Sequence, residues 1–80
     1  MIEENLFFKT LEDVKSFVNV AMLKDYELDF ISGKYVVNAK SIMGIFSLDL
    51  TKPVKLVAHT DDESLKGEIA PFIYVEKENA

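Results

Sequence analysis

The 80-residue chain has no cysteine, no arginine, a single histidine, three glycines and two prolines. Each shortage excludes something. Without cysteine there is no disulfide framework, no zinc finger and no thiol nucleophile, and the sequence agrees with a reducing cytosol without demanding one. One histidine cannot build a His-rich metal site. All nine basic residues are lysines and the formal net charge is −5. The guanidinium fork that grips phosphate or guanine in a bidentate way is therefore missing, which argues against a nucleic-acid partner. The longest apolar runs, such as Val20–Leu23 and Phe72–Val75, fall far short of the roughly 20 residues that span a bilayer. Glu3 and Glu4 stand where a secretory leader would carry positive charge, so a cytoplasmic address is expected and no membrane partner is called for. Glycine and proline are scattered singly, leaving no linker, repeat or low-complexity tract.

What is present suits one small domain over residues 1–80. The chain is 49% hydrophobic, enough for a core, although a chain of this size buries only about 60 to 65% of its unfolded surface. Ile2 to Lys9 alternates as a strand, with Ile2, Glu4, Leu6 and Phe8 on one side and Phe7 on the other. Thr10-Leu11-Glu12-Asp13 reads as a capping-box-like helix start. Leu11, Val14, Val18, Ala21 and Met22 then fall at helical spacing, with Phe17 widening the stripe, to about Lys24.

Two alternating runs, Tyr26 to Ile31 and Tyr35 to Ala39, flank Ser32-Gly33 and predict a hairpin around that pair. Ser41 opens a two-turn helix containing Gly44, with Ile42, Ile45 and Leu48 on its buried side. Val54, Leu56 and Ala58 alternate as a fourth strand, and Thr60-Asp61-Asp62-Glu63 reads as a second capping box. Leu65, Ile69, Phe72, Ile73 and Glu76 step at helical intervals, which favours a helix kinked at Pro71 over the alternative of a helix ending near Ala70 with Phe72-Ile73-Tyr74-Val75 extended. The order strand, helix, strand, strand, helix, strand, helix predicts an α+β open-faced sandwich: a four-stranded antiparallel sheet with three helices on one face.

The stretch Lys40-Ser41-Ile42-Met43-Gly44-Ile45-Phe46-Ser47-Leu48, between a hairpin and a strand, resembles the HPr family, phosphocarrier proteins of the bacterial sugar phosphotransferase system. The resemblance implies a βαββαβα fold, cytoplasmic residence and a surface used by other proteins of sugar uptake and its regulation. In the family a phosphoryl group is carried on a histidine just before the first helix, within a His-x-Arg-Pro motif. Counted back from Lys40 without gaps, that motif falls on Thr10-Leu11-Glu12-Asp13, where histidine, arginine and proline are all replaced. A phosphate there would meet Glu12 and Asp13 in place of a guanidinium, and like charges oppose it. The expectation is a domain without phosphohistidine relay.

Ser41 matches the family's regulatory serine, which an ATP-dependent kinase modifies in some bacteria. A phosphate at a helix start is favoured by free amides and by the dipole. The plainer reading of the same residue is an N-cap worth about 1 kcal/mol. Met43 and Phe46 are expected on the side of the second helix turned away from the sheet. With Ile42 they correspond to the family's apolar contact surface for partner proteins, against the alternative of ordinary core side chains.

His59 has two readings: an alternative phosphate acceptor or pH switch, and a strand-end residue near carboxylates. Nothing in the spacing brings Ser41, His59 and Asp61 together as a triad, and the scattered carboxylates give no acid-base pair. The sequence therefore predicts a non-catalytic HPr-like binding or regulatory domain that needs no metal and no cofactor. Its expected partners are other proteins, such as a kinase or a transcription regulator of carbon metabolism. The alternatives are a phosphoryl-transfer component using His59, or a self-association module with Phe7 and Val57 lining the open sheet face to form a homo-oligomer.

Overall fold

A computed structural model of the chain describes residues 1–75. The strands are β1 (Ile2–Leu6), β2 (Leu28–Ser32), β3 (Tyr35–Asn38) and β4 (Val54–Ala58), and the helices are α1 (Leu11–Met22), α2 (Ile42–Phe46) and α3 (Glu63–Ile69). They follow one another as βαββαβα. The strands form one sheet in the order β1-β4-β2-β3, every neighbouring pair antiparallel.

Strand alternation decides which residues meet the helices. Ile2, Leu6, Leu28, Phe30, Val54, Leu56 and Ala58 from the sheet share one buried cluster with Val14, Phe17, Val18 and Ala21 of α1, Ile45 of α2, and Leu65 and Ile69 of α3. All three helices therefore cover the same face, as an antiparallel sheet with one solvated side requires. At its centre Phe8, Phe17, Phe30 and Phe72 meet edge-on or tilted, with ring centroids 5.1 to 6.1 Å apart. That is the separation at which aromatic pairs add stability beyond their buried area.

Several element ends differ from the sequence expectation, each for a local reason. Strand β1 stops at Leu6, and Phe8 reaches the core from the connection that follows. Leu11 and Met22 are exposed, so the apolar stripe of α1 is narrower than its periodicity implied. The hairpin pairs Ser32 with Tyr35, which makes Gly33-Lys34 the two-residue loop in place of Ser32-Gly33. Gly33 carries φ +61 and Lys34 no positive φ, the sign pattern of a type II′ turn with glycine first. Helix α2 is shorter than two turns. Helix α3 is capped by Asp62, not Thr60: its carboxylate accepts the N–H of Ser64 at 3.0 Å and the Ser64 hydroxyl at 2.6 Å.

The kinked helix expected across Pro71 does not form. Helix α3 ends at Ile69, and a 3₁₀ turn over Ala70–Phe72 carries the proline in its first positions, where a missing N–H costs nothing. The chain then runs extended along the outer edge of β1. Phe7 donates its N–H to Phe72 at 2.8 Å, Tyr74 donates to Asn5 at 2.8 Å, and Leu6 bridges to Ile73. Glu76 lies outside the described residues.

The face opposite the helices carries Glu3, Asn5, Asp29, Ile31, Val36, Lys55 and Val57. Phe7 and Val57 do not make an exposed apolar patch there: Phe7 packs edge-on against Tyr74. Val57 is only 8% exposed, and its register partners are Glu3 and Asp29. Among the described residues no helix is long and apolar enough to cross a membrane.

Candidate functional site

The start of α1 is capped by its own residues and carries two carboxylates. Thr10 is extended (φ −140°, ψ 165°), and its Oγ1 accepts the N–H of Asp13 at 3.1 Å. Asp13 Oδ2 in turn accepts the N–H of Lys9 at 3.1 Å. Glu12 is exposed beside them. Two first-turn carboxylates suit the positive end of the helix dipole, and Asp13 takes the Lys9 N–H, one donor that an incoming anion would otherwise use. An open groove of about 560 Å³ runs alongside, lined by Phe7, Lys9, Asp13, Pro71, Ile73 and Tyr74. Sequence reading missed this groove, because it forms only once the chain beyond Pro71 turns back along β1. The apolar, strand-forming Phe72-Ile73-Tyr74-Val75 run after Pro71 was the available signal.

Ser41 caps α2. Its backbone is extended (φ −101°, ψ 112°) and its hydroxyl accepts the N–H of Gly44 at 3.1 Å. The chain is turned into that position by Asn38, whose carbonyl accepts the Ser41 N–H at 3.0 Å and whose side chain accepts the Lys40 N–H at 2.8 Å. Lys40 reaches the other way and donates from Nζ to the Lys24 carbonyl beyond the end of α1 at 2.7 Å. Lys24 itself pairs with Glu68 of α3, a hydrogen bond that holds its ammonium above the usual lysine range. This chain of contacts ties the α2 start to α1 and α3.

On α2, Ile45 is fully buried, Ile42 is partly buried against the core, and Met43 and Phe46 are 77% and 43% exposed. The helix approaches the sheet closely: a Cβ built on Gly44 would stand 3.4 Å from Val37 Cβ and 3.4 Å from Ser41 Oγ. Ser41, Met43 and Phe46 are thus brought together on one short helix, with the serine partly shielded and the two apolar side chains turned to solvent.

His59 is elsewhere. It follows β4 at the end of the sheet where Ile2 begins β1, whereas Thr10–Asp13 follow the opposite end of β1. Its Nε2 lies 3.2 Å from Asp29 Oδ2, and its backbone N–H donates to the Glu27 carbonyl. Asp61 bonds the amino group of Met1 rather than His59. Among the described residues no cluster of histidine and carboxylate side chains is arranged to hold a metal ion.

No protein-family model matches the sequence, and neither does any curated protein. Solved structures do match. The crystal structure of HPr-C-His from Thermoanaerobacter tengcongensis superposes with a TM-score of 0.71 and is 31% identical, over 91% of this chain and 91% of that one. Identity at that level across nearly the full length of both chains, on a shared open-faced sandwich, makes this chain a member of the HPr family.

Proposed function

We propose that this HPr-family chain is a non-catalytic protein-binding module of the sugar phosphotransferase system or its regulation. It relays no phosphate through a histidine, its control point is Ser41, and Ile42, Met43 and Phe46 form its contact surface. The observation that carries this reading is the self-capped, acidic α1 start. Thr10 and Asp13 already take the N–H groups of Asp13 and Lys9, and Glu12 adds a second carboxylate. A phosphoryl group brought there would find repulsion where a relay needs donors.

His59 offers no better home. The Asp29 carboxylate beside its ring opposes an approaching phosphate dianion. Ser41, by contrast, sits at a helix start flanked by Lys40, with no carboxylate on α2 or β3. A partner that reads Ser41 would meet Met43 and Phe46 in the same contact, and adaptable apolar side chains suit that role. The partners proposed are a kinase of the family's ATP-dependent type and a transcription regulator of carbon metabolism, both acting in the cytoplasm.

The test is phosphorylation by such a kinase with ATP, read by intact mass. The wild type is expected to gain one phosphate and Ser41→Ala none. If neither protein gains mass, Ser41 is a cap alone and the regulatory reading fails.

A further inference from the structure

The two edges of the sheet are treated differently. In an antiparallel pair, alternate residues turn their N–H and C=O toward the partner and the others turn them away. Ser32 and Tyr35 flank the two-residue loop as a bonded pair, and Ala39 donates to the Leu28 carbonyl at 2.8 Å, so Tyr35, Val37 and Ala39 bond inward to β2. The N–H and C=O of Val36 consequently point out of the sheet. On the opposite edge the corresponding outward groups, the Asn5 carbonyl and the Phe7 N–H, are taken by Tyr74 and Phe72. The β1 edge is covered by the chain itself from Asn5 to Phe7, and the β3 edge is open.

We infer that the β3 edge accepts an added strand from a partner protein, an extended segment carrying acidic residues. Charge selects that occupant. The chain holds 14 acidic residues, yet from Phe30 through Leu48 there is no Asp or Glu, only Lys34 and Lys40. Lys34 lines one groove at the hairpin end of β3 with Tyr35, Ser47, Asp49 and Lys52. The carboxylate in that groove, Asp49, is turned onto Thr51, accepting its N–H at 3.1 Å and its hydroxyl at 2.5 Å. Neither Lys34 nor Lys52 lies within ion-pair distance of a carboxylate among the described residues. An acidic segment is repelled by most of a chain of charge −5 and admitted at this corner.

The edge also offers apolar area to such a strand. Tyr35 is 71% and Val36 63% exposed. Natural edges of this kind are guarded with lysine against pairing with copies of themselves, and Lys34 at the hairpin end of β3, with Lys52 in the same groove, disfavours a second copy while favouring an acidic partner. Strand addition of this sort draws its affinity from main-chain hydrogen bonds and its specificity from alternate side chains. The inference borrows nothing from Ser41, so the Ser41→Ala protein keeps this edge.

The probe is a short blocked peptide alternating glutamate with valine. Two controls accompany it, the lysine counterpart and the glutamate peptide with its central valine N-methylated. Amide exchange and chemical shifts are followed by NMR on wild type and Ser41→Ala. The glutamate peptide is expected to slow exchange at Val36 and shift residues 34–38 in both proteins, with neither control doing so, and Lys34→Glu with Lys52→Glu weakens it by about tenfold. Any of three results overturns the inference: no slowing at Val36 at millimolar peptide, shifts confined to α2 with Val36 exchange unchanged, or protection of Val36 that rises with protein concentration without peptide.

Discussion

The hydroxyl of Ser41 accepts the backbone N–H of Gly44 at 3.1 Å, so the oxygen a kinase would modify is also the one that closes the first turn of α2. Removing it exposes that turn. Ser41→Ala is expected to lower stability by about 1 kcal/mol in urea titration, while Ser41→Asp, which keeps an acceptor at the cap, stays within a few tenths of wild type. Equal losses for both variants would mean the cap contributes little.

The buried core and the proposed contact surface lie on opposite sides of the helical layer. Phe17 is fully buried with its ring centroid 5.1 Å from that of Phe30, and Phe17→Ala should cost about 3 to 5 kcal/mol, enough to leave so small a domain largely unfolded at room temperature. Met43→Ala, on an exposed side chain, should change stability by less than about 0.5 kcal/mol. Thermal melts of the two proteins check both values, and binding of the kinase should weaken in Met43→Ala despite an unchanged melt.

Two glycines give opposite outcomes with the same substitution. Gly33 holds φ +61 at the hairpin loop, and Gly33→Ala is expected to destabilise by about 1 kcal/mol through backbone strain. Gly67 lies inside α3 with open space where a Cβ would stand. Gly67→Ala should therefore stabilise by about 0.5 to 1 kcal/mol. Denaturant midpoints of the pair decide it.

The Asp62 cap makes stability fall in acid. The hydroxyl of Ser64, then its N–H, with smaller help from Tyr26 and Lys24, hold the Asp62 carboxyl below its ordinary value. Folding lowers this pKa, so the unfolded state takes up the proton first as pH drops. The contribution is complete above the unfolded value of about 3.9 and disappears as pH falls through the lower folded value. Asp62→Asn keeps a capping oxygen without the titration. The stability gap between wild type and Asp62→Asn should be constant above about pH 5 and narrow below about pH 4; a gap independent of pH contradicts this.

Much of this fold was legible because period and cap chemistry agreed. Thr10 and Ser41 both cap helices as their positions implied, and the alternation of Val54, Leu56 and Ala58 marks β4 with the correct buried side. The failures came where local signals were ambiguous. Phe72 and Ile73 continue a helical period across Pro71, but pairing along the β1 edge satisfies the Phe7 N–H and the Asn5 carbonyl, which a helix would have left to water. A tertiary partner decided that segment, and no window of sequence contains it. The hairpin loop slipped by one residue because Ser32-Gly33 and Gly33-Lys34 are both acceptable turn pairs, and register with β4 chose between them.

The candidate site was legible as residue types and not as connections. Exposure of Met43 and Phe46 follows from Ile45 facing the sheet, which the spacing implied. The ring-to-carboxylate contact of His59 and Asp29 depends on β2 and β4 being neighbours, a fact of topology that neither strand announces.

Incubation with phosphoenolpyruvate and the family's enzyme I, followed by intact-mass analysis under neutral conditions, tests the central claim most directly. The account predicts no added phosphate on wild type. An acid-labile phosphate that appears on wild type and vanishes in His59→Ala would contradict it and make His59 the carrier.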